Sequence, residues 1–358
     1  MACSFPMWRL SWSEHLLNNG WSRHRLADVY ENRVHNDGII LQRPEAEMIC
    51  SEYPDLAYKM QQVPCGKCIQ CRLSYSRDWA NRCMCELKTA KNAYFLTLTY
   101  DDSHLEFCPY ADPETGQLST RPVLAPRHLT LFFKRLRKYC CEIGQSGQRY
   151  FACGEYGEET ERPHYHAIVY NLPDEVLAKS KSWPDSTPEA PLWTSPILSE
   201  LWPHGIVVYG DVNWNTCAYV ARYVVKKQLG KSRADQIKMQ QQFFPDSPWQ
   251  HEFVRMSRRP GIGRDYFETH KDEIYQTDEL FVPIKGEVQA VRPAKYYDKL
   301  YDVDHHLALR KLKKARSLQS EAALESTLHN TDLTEIEYLE LKDRIKEDQS
   351  RRLVRPSI

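Results

Sequence analysis

Apolar positions along the chain change period several times, and each change marks an element. The run Tyr94-Phe95-Leu96-Thr97-Leu98-Thr99-Tyr100 is rich in β-branched and aromatic residues and stops at Asp101-Asp102, which predicts a strand. Arg149 to Glu155 predicts the next strand. A Glu-rich turn then leads into Arg162-Pro163-His164-Tyr165-His166-Ala167-Ile168-Val169-Tyr170, so the two runs read as an antiparallel hairpin. Gly205 to Val212 is a further strand. Helical spacing links Leu73, Ala80, Cys83 and Leu87, and again Leu129, Phe132, Phe133 and Leu136 after Pro126. Asn215 to Gln228 reads as a helix with Asn215 or Thr216 as N-cap.

The remaining stretches have weaker patterns. Residues 108–125 read as a loop, and residues 173–204, rich in Pro, Ser and Trp, as a surface excursion. Residues 1–64 show no sustained period and predict a loosely structured arm. From Tyr296 onward the chain is helical and highly charged. The expected organisation is an N-terminal arm (1–64), a core (65–265), and a connecting segment with a charged helical tail (266–358). Helices mixed with hairpin-like strands predict the α+β class.

Composition narrows the partners only locally. The 358 residues carry 48 Lys and Arg against 48 Asp and Glu, so a nucleic-acid partner would need basic residues gathered in patches. Such patches occur at Lys134 and Arg135, and at Arg258, Arg259 and Arg264 in a glycine-containing loop; a solvated face is the plain alternative for the helical pair. No apolar run approaches a membrane span, and no secretion signal is evident at the N-terminus, so a membrane-free cytosolic protein with reduced thiols is expected.

Three groups of residues carry candidate chemistry. In a strand His164 and His166 face the same way, roughly 7 Å apart along the backbone, which can place two imidazoles on one cation. Glu155, at the end of the adjoining strand, offers a third ligand, although Glu158, Glu159 and Glu161 lie in the same turn. Two neutral imidazoles and a carboxylate suit Mg²⁺ or Mn²⁺ with positions open for a phosphate oxygen; ordinary packing of the pair is the competing explanation. Tyr219, Tyr223 and Lys227 recur every four residues on one helical face, with Lys226 adjacent. An activated phenol can attack phosphorus, and two such phenols one turn apart permit sequential transfers, whereas two packed tyrosines are the simpler reading. Cys65, Cys68 and Cys71 can hold a structural Zn²⁺ or remain reduced thiols.

These motifs occur in an order that resembles a known family. Tyr94 to Asp101, then Gly154-Glu155-Tyr156-Gly157 with Arg162 to His166, then Tyr219 to Lys227, are similar to the three motifs of rolling-circle replication initiators of the His-hydrophobic-His (HUH) endonuclease superfamily. Tyr165 fills the hydrophobic position. Together with Cys65 to Cys71 and Ser257 to Gly263, they most resemble the replication initiation proteins of microviruses, the gokushovirus-like single-stranded DNA phages, over roughly residues 64–302.

The resemblance implies a central antiparallel sheet of about five strands flanked by helices, of the ferredoxin or RNA-recognition type. It implies His164, His166 and Glu155 as metal ligands, Tyr219 and Tyr223 as paired nucleophiles, and Lys227 or Lys226 as their companion. The implied activity is nicking of single-stranded or melted origin DNA through a 5′-phosphotyrosine, leaving a 3′-OH for extension and later rejoining the strand. Host polymerase and helicase in the bacterial cytoplasm are the implied partners. A relaxase or transposase of the same superfamily, or a non-catalytic zinc-stabilised single-stranded DNA-binding protein, are the alternatives.

Overall fold

The computed structural model describes residues 7–11, 34–35, 38–52, 54, 60–66, 68–112, 115–157, 160–228, 242–245, 249–284 and 286–352. The described residues form two units, one from the chain up to Ser74 together with residues from Lys313 onward, the other from Tyr75 to Leu312.

In the first unit, strands β1 (Met7–Ser11), β2 (Val34–His35), β3 (Gly38–Leu41) and β4 (Met60–Val63) make an antiparallel sheet in the order β2-β3-β1-β4, with helix α1 (Arg43–Glu52) between β3 and β4 in sequence. The loosely structured arm predicted for residues 1–64 therefore contains a sheet. Its strands are too short for an alternation to stand out, yet Leu10, Ile39 and Leu41 are fully buried. Helix α2 (Ile69–Thr89) begins in this unit and contributes most of its length to the second.

The second unit is built on β5 (Ala93–Thr99). A hairpin of β6 (Glu106–Ala111) and β7 (Leu118–Val123) replaces the predicted loop. Its turn is closed by Gly116, whose N–H donates to the Asp112 carbonyl, while Cys108 and Val123 supply buried positions that the Pro and Gly content obscures. Helix α3 (Pro126–Glu142) precedes β8 (Arg149–Tyr156) and β9 (Pro163–Tyr170). Short strands β10 (Lys181–Ser182) and β11 (Leu192–Thr194) come next, then α4 (Pro196–Leu201), β12 (Val207–Asp211), α5 (Trp214–Gln228), β13 (Phe253–Met256) and α6 (Arg264–Thr277). The sheet is antiparallel throughout, in the order β10-β11-β12-β5-β9-β8-β13. The α+β class holds; the five central strands gain two edge strands from the segment read as an excursion.

Both sheet faces are covered. Leu96, Leu98, Tyr165, Ala167 and Val169 pack against Leu129, Phe132, Phe133 and Leu136 of α3 and against Leu198 of α4. Ala125 gives α3 no side-chain cap, and Pro126 starts it. A missing cap costs about 0.5–2 kcal/mol, whereas each large buried side chain contributes about 1.5–3 kcal/mol, so packing decides that this helix forms. On the opposite face Phe95, Phe151, Ile168 and Tyr170 pack with Trp79, Ala80 and Cys83 of α2, Cys217, Val220 and Ala221 of α5, and Phe267 of α6.

Helix α5 starts earlier than predicted. Asn213, not Asn215 or Thr216, caps it: Asn213 Oδ1 accepts from the Thr216 N–H at 3.0 Å, and Thr216 Oγ1 accepts from the Asn213 N–H at 3.0 Å. This reciprocal pair has the logic of a capping box with Thr at the third helical position. The hairpin β14 (Leu280–Ile284) and β15 (Glu287–Val291) follows, then the long helix α7 (Lys295–His329), interrupted by non-helical backbone at His305, and α8 (Glu335–Arg352). Among the described residues, no helix is long and apolar enough to cross a membrane.

Candidate metal centre

The geometry of the site comes from the β8–β9 register. Glu155 is directly opposite His164, and Cys153 is opposite His166. All four therefore project on one face, with Phe95, Thr97 and Thr99 of β5 continuing it through the pairs Phe95–Ile168, Thr97–His166 and Thr99–His164. Glu155 Oε1 lies 2.7 Å from His164 Nε2 and 2.9 Å from His166 Nε2. Glu155 and His166 are 1% and 3% exposed, but His164 is 20% exposed, so the centre opens to solvent on the His164 side.

The donor set calls for a cation. His164 Nδ1 is 3.1 Å from the Arg162 carbonyl, which only accepts, so the proton belongs on Nδ1. The neutral ring then turns the Nε2 lone pair toward a carboxylate oxygen, and the two acceptors repel unless a proton or a metal ion comes between them. The contact between His166 Nε2 and Glu155 lacks hydrogen-bond geometry, and both that nitrogen and Glu155 Oε2 are buried without a hydrogen-bond partner. Buried polar atoms left in this way are costly, and a single divalent ion would satisfy both. The three ligand atoms lie within 4.8 Å of one another.

Electrostatics favour the metal-ready charge states. Burial alone would raise the Glu155 carboxyl, but the charge of His166 and hydrogen bonds from His164 and His166 outweigh it and hold the carboxyl at about 2. Burial lowers His166 against the pull of Glu155, which keeps its imidazole neutral near neutral pH. A carboxylate and neutral imidazoles are the ligating forms.

Other side chains fix these ligands. Thr97 Oγ1 meets His166 Nδ1 at 3.0 Å, and Phe95 stacks on the His166 ring with centroids 5.2 Å apart. Arg162 donates to the Tyr100 carbonyl at 2.9 Å and pairs with Asp102 at 2.6 Å, anchoring the backbone whose carbonyl orients His164. Tyr165 points to the other face, where its hydroxyl exchanges hydrogen bonds with Ala125 N–H and C=O and meets Tyr100 Oη at 2.8 Å. The alternation in Tyr94 to Tyr100 already put Phe95, Thr97 and Thr99 on one face. Their pairing with the histidine strand was not legible, because register between strands separated in sequence leaves no local pattern.

The remaining predicted residues fall as follows. Tyr219, on α5, sets its ring edge-on to His166 with centroids 5.1 Å apart. The side chains of Tyr223, Lys226 and Lys227 lie outside the described residues, although their backbone belongs to α5. Glu161 pairs with Arg121 at 2.6 Å; Glu158 and Glu159 are outside the described residues. Arg258 and Arg259 are exposed, Arg264 is exposed and pairs with Glu268 at 2.8 Å, and Lys134 is exposed on α3. Arg135 is half-buried and donates to the Leu201 carbonyl at 2.9 Å, tying α3 to α4. Cys65, Cys68 and Cys71 form a second, separate ligand group.

Comparison with known proteins places this arrangement in a family. Residues 93–228, which span β5 to α5 and hold Glu155, both histidines and Tyr219, match the model of the replication-associated protein ORF2 family. The chain is 35% identical over 238 residues to the replication-associated protein ORF2 of Spiroplasma virus 4, covering 66% of this chain and 67% of that protein. The chain belongs to the phage replication-associated proteins. It is also 30% identical over 247 residues to the replication-associated protein VP4 of Bdellovibrio phage phiMH2K, covering 68% of each. Against the replication-associated protein ORF4 of Chlamydia phage 1 the identity is 30% over 166 residues, 46% of this chain and 38% of that one. These relatives come from microviruses, the group that the motifs resemble. No solved structure matches the chain.

Proposed function

We propose that this replication-associated protein initiates rolling-circle replication by nicking single-stranded or melted origin DNA and later rejoining the strand. Glu155, His164 and His166 would hold Mg²⁺ or Mn²⁺, hard enough to prefer a carboxylate and phosphate oxygens. Bound there, the cation would polarise the scissile phosphate and stabilise charge as it develops. Tyr219 supplies the nucleophile: its phenolic oxygen bonds to phosphorus as the bond to the 3′ oxygen breaks. The phenol gives up one proton and the leaving oxygen takes one, yielding a 5′-phosphotyrosine and a free 3′-OH.

The observation that carries this reading is the Tyr219 ring beside His166, 5.1 Å between centroids. It puts a phenol at the open centre where a phosphate would approach. Tyr223, one helical turn further along α5, is the second nucleophile in this scheme and Lys227 or Lys226 its companion. The exposed Arg258 and Arg259, with Lys134, Arg135 and Arg264, are proposed to contact the DNA backbone. The free 3′-OH would be extended by host polymerase with host helicase, in the bacterial cytoplasm.

The test is cleavage of end-labelled single-stranded DNA carrying the phage origin, with Mn²⁺, with Mg²⁺ and with chelator. Metal-dependent cleavage and a covalent adduct mapped to Tyr219 or Tyr223 are expected. An adduct that persists after both tyrosines are replaced by Phe would overturn the proposal.

A further inference from the structure

The nicking centre leaves one ligand group unexplained. Cys65, Cys68 and Cys71 are reduced and half-buried, with their sulfur atoms within 4.8 Å of one another. We propose that these three thiolates bind a zinc ion independently of the Glu155–His164–His166 centre.

The local backbone brings the sulfurs together. Gly66 adopts φ +73°, in the left-handed region where a side chain is strained, and this turn carries the chain back over Cys65. The Cys68 N–H then donates to Cys65 Sγ at 3.3 Å. Cys68 immediately precedes α2, and Cys71 sits in its first turn. The N–H groups at a helix start favour negative charge, so thiolates are well placed there.

Distances choose the occupant. Cys65 Sγ and Cys71 Sγ are 4.0 Å apart, about twice a disulfide bond of about 2.0 Å. Zinc–sulfur bonds of about 2.3 Å at the tetrahedral angle put neighbouring thiolates about 3.8 Å apart. The spacing also matches the first three cysteines of a bacterial ferredoxin run, whose next cysteine comes four positions after the third. Tyr75 stands there in this chain. Thiolates on separate irons of a cluster also sit farther apart than thiolates sharing one ion, so a single zinc fits these sulfurs better. Among the described residues the group offers three protein ligands, and water or a further donor can complete four-coordination.

The full-length protein, purified without chelator, is tested for metal content and for cobalt substitution. About one zinc per chain should persist in the His164→Ala/His166→Ala variant, and Co²⁺ should give sulfur-to-metal charge-transfer absorption there. Both should disappear in Cys65→Ser/Cys71→Ser. In case that variant does not fold, thiol alkylation of the unsubstituted protein provides a second measurement. Cys65, Cys68 and Cys71 should be protected until a strong chelator is added. Absence of zinc and of the cobalt–thiolate signal, equal alkylation with and without chelator, or recovery of iron with sulfide would each overturn the proposal. None of these readouts depends on nicking, so failure here leaves the DNA reaction untouched.

Discussion

Thr97 Oγ1 stands 3.0 Å from His166 Nδ1 across the β5–β9 pair, and both residues are buried. A partner on the far nitrogen fixes the ring so that Nε2 faces Glu155. Loss of such a partner commonly costs 10–100-fold in metal affinity. Thr97→Val keeps the shape and removes the hydroxyl. Mn²⁺ affinity measured by calorimetry is expected to fall about 10–100-fold, with restoration in Thr97→Ser. Unchanged affinity in Thr97→Val would show that stacking by Phe95 alone sets the ring.

Tyr219→Phe keeps the ring against His166 and Phe95 and deletes the attacking oxygen. Metal binding and stability should be nearly unchanged, while covalent capture of an origin oligonucleotide at position 219 is lost. Removing the Tyr223 hydroxyl as well should abolish all adduct on denaturing gels. A single substitution that weakens Mn²⁺ binding as strongly as loss of a histidine would point to a structural role for the phenol.

Acid should destabilise the metal-free protein in two ranges. Burial lowers His166, and burial followed by the His128 charge lowers His204, to about 4. Their folded values lie below the usual histidine value of about 6.5. The unfolded chain therefore binds more protons as pH drops below about 6.5, and stability falls until the folded values are reached. The Glu155 carboxyl, held at about 2, contributes stability above about pH 4.3, and that share is lost as pH falls toward 2. Urea midpoints should decrease from pH 7.5 to 5 and again below 4. A midpoint that rises between pH 7.5 and 5 would contradict neutral buried histidines.

Gly263→Ala tests the loop before α6. Gly263 has φ +76°, and an added Cβ would lie 2.6 Å from Tyr297 Oη and 3.0 Å from the Arg82 carbonyl. The same residue donates to Glu86 Oε2 at 2.7 Å and accepts from Tyr297 Oη at 2.8 Å, so the backbone has little room to move. Strain of this kind costs about 1–3 kcal/mol, and chemical denaturation should show a loss of that size.

Arg258 and Arg259 sit exposed at the head of that loop. Replacing both by Ala should weaken binding to single-stranded DNA irrespective of sequence. It should also flatten the dependence of log affinity on log salt, by about 0.7 for each phosphate no longer neutralised. An unaltered salt slope would remove them from the DNA path.

Much of the second unit was legible because its elements are long and carry one period each. Leu129, Phe132, Phe133 and Leu136 announced their buried face, and the alternation of β8 and β9 put both histidines on one side. The sheet of the first unit was not legible, since strands such as Val34–His35 are shorter than one cycle of any pattern. The cap at Asn213 was missed by two residues because several Asn and Thr side chains compete there, and only backbone geometry separates them. Thr97 and Arg162 carry no motif of their own; they matter through register and through a carbonyl, and neither is written in side-chain types.

The direct opposition of Glu155 and His164 makes the centre a gauge of strand alignment. A slip of one residue between β8 and β9 would set Tyr156 against His164 and turn the carboxylate through the sheet to the α3 side. Insertion or deletion of a single residue in the connecting turn would erase the cation site without touching any ligand. Conversely, a bound ion would select the native alignment from among slipped ones, so metal supply during synthesis would bear on how faithfully this hairpin is made.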